Sequence, residues 1–564
     1  MKRFLILRLG LSFIAALFAL SACMGAPPMA QPTRLPDLDF GALNEDDGEG
    51  DKEAPRTPPQ PGLGGHLHVP MSLPATLNPL LNSDPHVAAV LRLIFEPLVI
   101  FDAEKRPIPN PAITESIIFS PYGHSLTLTL QNNIFWEDGS AITTADVAFS
   151  IDVLTRNAPE TAVYRSLAAS ISSHSVIDSR SILINLNSSN WSAKYALAFP
   201  IIPADYYRTT SMTNLRAARN MHPLGNGPFR FHSYEEASRL ELIINHAAIG
   251  GRPYIQRVTA IVLRDMEASA AHAFEQGIVD VFAGSPAYWG RFSALGKNRV
   301  AEAISGDFDF IGFNFNRGIF ADFEIRAAVA HSFDAEAILQ RYFNQNNAAL
   351  APVHPQSWLA VGGLASYAFN TNRAEELFMQ AGFSHGVDGF LERQLSEILP
   401  PQRLLITILV NSYNPIGLSI ADTLSQGLSD AGVDTNLVSL PFFQFIQRVE
   451  AGDFDIIVGG LSLSGPPNFG FLSAKSQRDS LAESIFGHSS EQLDLILSMI
   501  NYAPAETAYR QAVGALQQYI ADNLPFIGVA FRQNALYTTG RVHGDFQPIV
   551  NNILADIANW FLAD

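Results

Sequence analysis

A chain that makes or breaks bonds must bring together a nucleophile, an acid–base pair, a metal or a phosphate cradle, and these 564 residues offer few such spacings. The nearest approach to a phosphate-binding loop runs from Gly290 to Lys297. Five residues separate its glycines where four are needed, and Asn298 stands where Ser or Thr should follow. No Gly-x-Ser-x-Gly turn surrounds Ser462 or Ser464, and no His-Glu-x-x-His occurs. His66 and His68 share one face of an alternating segment and could ligate a metal; two ligands are few for such a site, and packing is the alternative role. The one cysteine, Cys23, can form neither an internal disulfide nor a multi-cysteine cluster. The expectation from these spacings is no enzyme, no cofactor and no resident metal.

Cys23 has other chemistry open to it. Lys2, Arg3 and Arg8 make a positive start, Leu9 to Leu20 is apolar almost without interruption, and Cys23 follows at once in Leu20-Ser21-Ala22-Cys23. The apolar run is short for a spanning helix, and its order is that of a secretory signal. The Leu-Ser-Ala-Cys sequence resembles the lipobox of bacterial lipoproteins, which implies diacylation of the thiol, cleavage before it and a membrane tether; a signal followed by a chance cysteine, or an uncleaved anchor, are the alternatives. Residues 23–63 hold eight prolines and the acidic run Glu45-Asp46-Asp47-Gly48-Glu49-Gly50-Asp51, with little to bury, so a mobile tether is expected there.

The body is acidic as well, with 36 Lys and Arg against 54 Asp and Glu and a net charge of −18. Removing residues 1–22 takes away Lys2, Arg3 and Arg8 and leaves −21. With no concentrated basic stripe, such a surface repels a phosphate backbone, and nucleic acid is not an expected partner. A hydrophobic share of 47% describes an ordinary globular protein, and its length suggests several domains.

From Gly64 onward short β-rich segments alternate with helical ones, which reads as an α/β or α+β body. Gly65–Val69, Ser125–Leu130 and Ser181–Leu186 alternate as strands. Thr143 is a helix N-cap with Asp146 three positions on, a capping-box pair. Leu404–Val410 and Phe454–Val458 read as buried strands with a helix over Ile416–Ala431 between them, ending at Gly432; that βαβ order predicts parallel pairing.

Trp136-Glu137-Asp138-Gly139 followed by Thr144-Ala145-Asp146-Val147-Ala148-Phe149-Ser150 resembles the best-known motif of the family 5 extracellular solute-binding proteins of ABC importers. Further matches come in the family's order. Leu77-Asn78-Pro79-Leu80 leads to Ile94-Phe95-Glu96-Pro97-Leu98-Val99, and Pro223-Leu224-Gly225-Asn226-Gly227-Pro228-Phe229 is like the family's glycine-rich turn. Gly251-Arg252-Pro253-Tyr254 precedes Ala273 to Asp280, Phe313-Asn314-Phe315-Asn316 precedes Ile325 to Asp334, and Ala374 to Gly382 precedes Asp388-Gly389. Together they span most of residues 64–546.

The resemblance implies an α/β bilobal periplasmic-binding-protein fold with an extra inserted subdomain and a ligand enclosed between lobes joined by a hinge. By analogy, the first lobe is expected from residues 64–97, 223–300 and 530–564, its inserted subdomain from 98–222, and the second lobe from 301–529. The resemblance further implies a periplasm-facing, membrane-anchored receptor, monomeric, that binds a peptide or other small solute and hands it to an ABC permease and ATPase. The alternative is an envelope lipoprotein that keeps the fold as a sensor, chaperone or adhesin.

Asn78 and Glu96 lie where the family's chain faces the cleft, although an Asn before Pro can equally hold its own turn. Asn226 sits between two glycines that permit positive φ or close backbone approach in a turn between lobes. Tyr288 and Trp289 offer apolar surface with a polar tip, or else lobe packing. Asn314, Tyr413 and Asn414 fall at expected strand ends. Oligopeptide- and dipeptide-binding members place an aspartate after the strand equivalent to Phe454–Val458, where it pairs with the peptide ammonium. Here Gly459 to Gly470 offers Ser462, Ser464 and Asn468 and no acid, which suits a neutral hydrogen-bonding ligand, or leaves the countercharge to a carboxylate such as Glu96.

Overall fold

The computed structural model describes residues 60–563 apart from 249, 294–296, 344–346, 464–466, 468, 473–486, 547–551 and 553. The expected leader, Cys23 and the acidic run lie outside the described residues, as do Ser464 and Asn468. Where the expected tether is described, at residues 60–63, it is irregular and exposed.

The body opens with β1 (His66–Ser72), whose alternation buries Leu67, Val69 and Met71. The chain then leaves to build a four-stranded antiparallel sheet of β2 (Thr114–Phe119), β3 (Ser125–Leu130), β4 (Ile171–Val176) and β5 (Ser181–Leu186), in the order β2-β3-β5-β4. A helix, α1 (Thr144–Asp152), packs there, and its start is the expected capping box: Asp146 Oδ2 accepts the Thr143 N–H at 2.8 Å. The other carboxylate oxygen accepts the Ala204 N–H at 2.8 Å, so one side chain both caps the helix and pins a loop.

The chain returns as β6 (Phe229–Glu235), β7 (Arg239–Ile244) and β8 (Arg257–Leu263), and β8 pairs parallel with β1 to give the order β1-β8-β7-β6. The return is tight. A Cβ on Gly225 would lie 2.1 Å from the Ile94 carbonyl oxygen, and one on Gly227 would lie 2.6 Å from that of Leu93. The glycines are therefore needed for close backbone approach, and neither adopts a positive φ. One apolar core runs from Leu67 and Val258 through Ile94 and Phe229 to Leu128 and Ile184, so the segments expected as the first lobe and its inserted subdomain share an interior.

Six further strands form one sheet, and smaller two- and three-stranded pairings lie outside it. The six are β9 (Val281–Gly284), β10 (Arg299–Phe313), β11 (Leu405–Asn411), β12 (Asp434–Leu440), β13 (Ile456–Ser462) and β14 (Phe526–Thr538), in the order β9-β14-β10-β13-β11-β12. Between β11 and β12 lies α2 (Pro415–Asp430), followed by Gly432 at φ +83°. β11 pairs parallel with both β13 and β12, as the βαβ order requires. β12 is a strand the sequence reading did not name, because its sides are all half-buried or exposed and its apolar alternation is weak.

Two long strands, β10 and β14, run from one lobe into the other. Their outer halves, Arg299–Glu302 against Ala535–Thr538, pack with Phe274 and Phe282 of the segment expected as the first lobe, and their inner halves, Phe308–Gly312 against Phe526–Phe531, pack within the segment expected as the second. The register shifts between Ile304 and Phe308 and again at Asp309/Phe310. Such bulges bend and twist a ribbon, and here they sit where the two lobes meet.

Candidate functional site

β11 and β13 run parallel with Val410 level with Val458, so β11 ends at Asn411 while β13 runs on to Ser462, and α2 starts just beyond the end of β11. In open α/β sheets the space beyond these carboxyl ends is where ligands bind. The turn between β11 and α2 is built by its own side chains. Asn411 Oδ1 accepts the Tyr413 N–H at 3.1 Å, and Asn414 caps the helix by accepting the Gly417 N–H at 3.1 Å. A Cβ on Gly417 would lie 2.6 Å from Asn414 Nδ2, so glycine is required for the cap. Tyr413 is left 59% exposed.

Against this edge stands a pair that sequence reasoning missed. Arg532, on β14, donates Nε to Asp309 Oδ2 and Nη2 to Asp309 Oδ1, both at 2.8 Å. Nη2 also donates to Asn414 Oδ1 at 3.1 Å, which ties β10, β14 and the start of α2 together. The Asp309 side chain is 1% exposed and that of Arg532 24%. Gly460 of β13 makes room: a Cβ there would lie 3.1 Å from Asp309 Oδ1 and 3.7 Å from Arg532 Nη2. Burial works against the Arg532 cation, yet the Asp309 charge more than offsets this and holds the guanidinium above its usual value. The two-pronged geometry makes this an ionised pair. The available signal was a charge inside each apolar strand, in Phe308-Asp309-Phe310 and Phe531-Arg532.

The structure thus brings Asn414 to Arg532, with Tyr413 in the same turn, and carries Ser462 past the end of β11 to pair with Asp307; it does not bring Asn314 there. Asn314 follows Phe313, which pairs with Ile456 at the opposite end of β13. It is 1% exposed, donates Nδ2 to the carbonyls of Gly452 at 3.1 Å and Phe454 at 2.9 Å, and accepts the Asn316 N–H. Asn78 is likewise buried: Oδ1 accepts the Leu80 N–H and Nδ2 donates to Asn220 Oδ1, both at 3.0 Å, which is the turn-holding alternative. Tyr288 stacks on Phe292 at 5.7 Å and Trp289 on Tyr537 at 6.4 Å, the packing alternative for that pair.

Glu96 and Asn226 lie together in the first lobe. Asn226 Oδ1 accepts the Glu96 N–H at 2.9 Å, and Asn110 Nδ2 donates to Glu96 Oε2 at 2.9 Å. Burial pushes the Glu96 carboxyl above its usual range, with the Asn110 bond opposing. Asn226 Nδ2 is buried with no hydrogen-bond partner among the described residues. His66 and His68 face each other with ring centroids 4.3 Å apart, bonded to Thr259 and Asp280 respectively. Among the described residues no three His, Cys, Asp or Glu side chains are placed to hold a metal ion.

The sequence profile of the bacterial extracellular solute-binding proteins, family 5 Middle, matches residues 109–480, about two thirds of the chain. This chain belongs to that family. The solute-binding protein is 26% identical over 381 residues to a Brucella ovis protein provisionally named an ABC transporter peptide-binding protein, covering 66% of this chain and 68% of the relative. Its fold is similar to the crystal structure of the ABC transporter substrate-binding protein CtaP of Listeria monocytogenes, with a TM-score of 0.74 at 17% identity over 89% of this chain and 100% of that one. It is similar also to the oligopeptide-binding protein AppA of Bacillus subtilis, solved with a nonapeptide, with a TM-score of 0.62 at 20% identity over 90% of this chain and 100% of that one. The solute-binding protein therefore has the bilobal α/β fold that its motifs implied.

Among the described residues no helix is long and apolar enough to cross a membrane.

Proposed function

We propose that this protein captures a peptide or peptide-like solute between its two lobes and delivers it to an ABC permease and ATPase for import, without making or breaking a bond in the ligand. The observation that carries the reading is the polar edge beyond the end of β11, where Arg532 bonds to Asn414 and Tyr413 is exposed in the same turn. It belongs to a fold shared over nearly the whole chain with a receptor solved around a nonapeptide. Closure about the β10–β14 ribbon enclosing the solute, and a shift of population toward the closed form when it binds, are the mechanism.

The same reading makes the protein a monomeric lipoprotein of the cell envelope, held on the periplasm-facing side by acyl chains on Cys23. Several chains anchor stably, since each buried CH2 contributes about 0.8 kcal/mol and one chain alone is marginal. Asn78, Asn314, Tyr288 and Trp289 have their polar atoms or rings engaged within the protein and rank below Tyr413, Asn414 and Ser462 as ligand contacts; Glu96 and Asn226 stay candidates on the first lobe.

Native mass spectrometry of the purified protein, followed by denaturing release of whatever it carries, tests the reading. Short peptides in the released fraction are the expected result. A single non-peptide mass would keep import and change the cargo, and a ligand-free protein that binds no peptide pool would overturn the proposal.

A further inference from the structure

The turn that joins β7 to β8 carries basic residues that the import reading does not use. Gly251 takes φ +97° and Pro253 is buried, which together fix the backbone on either side of the exposed Arg252. The incoming chain is tied to the same turn: the Gly64 N–H donates to the Tyr254 carbonyl at 2.8 Å, and the Gln256 N–H to that of Gly65 at 3.4 Å. Here an open pocket of about 430 Å³ is lined by Gly65 and His66 at the start of β1, by His246 after β7, and by Arg252, Gln256 and Arg257 leading into β8. Small-molecule sites run from roughly 300 to 1,000 Å³. The pocket belongs to the sheet β1-β8-β7-β6, which shares no strand with the six-stranded sheet at whose edge Arg532 bonds to Asn414.

No acid lines this pocket. Arg252 and His246 make no hydrogen bond or ion pair with any described residue. The acids that act on His66 are Glu241 and Asp280, and both are already paired. Glu241 lies 3.2 Å from Arg239 and 3.7 Å from Arg257, and Asp280 lies 3.3 Å from His68 and 3.5 Å from Arg541. Burial is the first cause that holds His66 below its ordinary value; the charges of His68 and Arg257 come next, ahead of the opposing Glu241 and Asp280. Positive charge therefore outweighs negative at this wall. The net charge of −18 opposes an anion at long range, but inside about 8 Å, the screening length at physiological salt, the pocket's own groups decide.

The donors differ in direction as well as in charge. Two guanidinium groups, the His246 imidazole and the Gln256 amide come from separate points along the turn, which suits a tetrahedral oxyanion with acceptors on several sides better than a planar carboxylate. We infer that this pocket binds a phosphate group, carried by a small soluble molecule or by a lipid headgroup, with Arg252 and Arg257 as its charged donors. The site is separate from the peptide reading and stands or falls without it.

Isothermal titration of the full-length protein tests the site. Inorganic phosphate and glycerol 3-phosphate are the soluble probes, dihexanoyl phosphatidylglycerol below its micelle concentration is the headgroup probe, and acetate is the carboxylate control. At least one phosphate probe should bind, and more tightly than acetate. Arg252→Gln should weaken that binding about tenfold or more, the loss of one charged hydrogen bond, and should leave the unfolding midpoint unchanged because Arg252 is exposed. Binding of a soluble probe supports the inference and assigns a soluble ligand; binding of the lipid alone supports it and assigns a headgroup. No binding of any phosphate probe, acetate binding as tightly as phosphate, or unchanged affinity in a folded protein carrying both Arg252→Gln and Arg257→Gln would overturn it. So would binding that appears only once Glu45→Gln, Asp46→Asn and Asp47→Asn have removed charge from the acidic run, since that run would then be the pocket's occupant.

Discussion

Trp358 of the second lobe donates its indole N–H to the hydroxyl of Tyr195, in the subdomain inserted into the first, at 3.3 Å. The contact is the centre of a wider junction. The Trp358 main-chain N–H donates to the Glu104 carbonyl at 2.9 Å, and the Trp191 main-chain N–H to that of Ala503 at 2.8 Å. Trp191 lies edge-on to Trp358 at 5.4 Å and against Tyr509 at 5.5 Å, and Arg106 pairs with Glu506 at 2.5 Å. Among the described residues, the segment expected as the inserted subdomain thus shares a buried aromatic cluster with the segment expected as the second lobe, besides the connection through β10 and β14.

Because the junction is buried on both sides, Trp358→Ala should release it. An aromatic pair contributes about 0.5–1.5 kcal/mol beyond its buried area, and Trp358 loses its ring contacts together with a hydrogen bond. Small-angle scattering should give a larger radius of gyration than the wild type, and ligand affinity should fall as the closed arrangement loses population. Unchanged dimensions and affinity would mean that the junction does not control closure.

The fold was largely legible because its signals are local. The Thr143–Asp146 capping box, the alternation of Ser125–Leu130 and Ser181–Leu186, and the apolar run of β11 each state their own structure. The site was legible only in part. Tyr413 and Asn414 could be placed at a strand end, but Asn314 was indistinguishable from them in sequence, because which end of an antiparallel partner a residue occupies is set by pairing such as Phe313 with Ile456, 143 positions apart. The Arg532–Asp309 pair joins residues 223 apart, which no local pattern reports.

At the return into β6 the backbone comes closest. Gly225→Ala would put a methyl 2.1 Å from the Ile94 carbonyl oxygen, and Gly227→Ala would put one 2.6 Å from that of Leu93. A main-chain atom cannot step aside cheaply, so each should destabilise by about 1–3 kcal/mol or more. Thermal unfolding of each variant checks this, and a midpoint equal to wild type would show that this turn can relax.

His488 gives the stability a pH dependence. Burial, with Arg326 nearby, lowers it to about 4, and Nε2 lies 2.8 Å from the Tyr519 hydroxyl. Between about pH 6.5 and 4 the unfolded chain holds a proton that the folded one does not, so this contribution is present above 6.5 and lost as pH falls toward 4. The loss is at most about 3 kcal/mol by the size of the shift. Urea unfolding at pH 7 and pH 4.5 should show a smaller drop for His488→Gln than for wild type; equal drops would place the acid sensitivity elsewhere.

Cys23 carries the proposed anchor, so Cys23→Ala should move the protein from the membrane fraction to the soluble one. A variant that stays with membranes after a high-salt wash would argue for an uncleaved apolar leader instead.

Two residues that look alike in sequence should separate binding from stability. Tyr413 is 59% exposed at the edge shared with Arg532, so Tyr413→Ala should leave the unfolding midpoint within about 0.5 kcal/mol of wild type while weakening ligand binding severalfold. Asn314 is 1% exposed and satisfies two backbone carbonyls, so Asn314→Ala strands both acceptors and should cost about 1–3 kcal/mol of stability. Below its unfolding transition that variant should bind with wild-type affinity. Parallel melting curves and titrations decide the matter: a reversed pattern, with Asn314 governing affinity and Tyr413 stability, would place the ligand at the other end of β13.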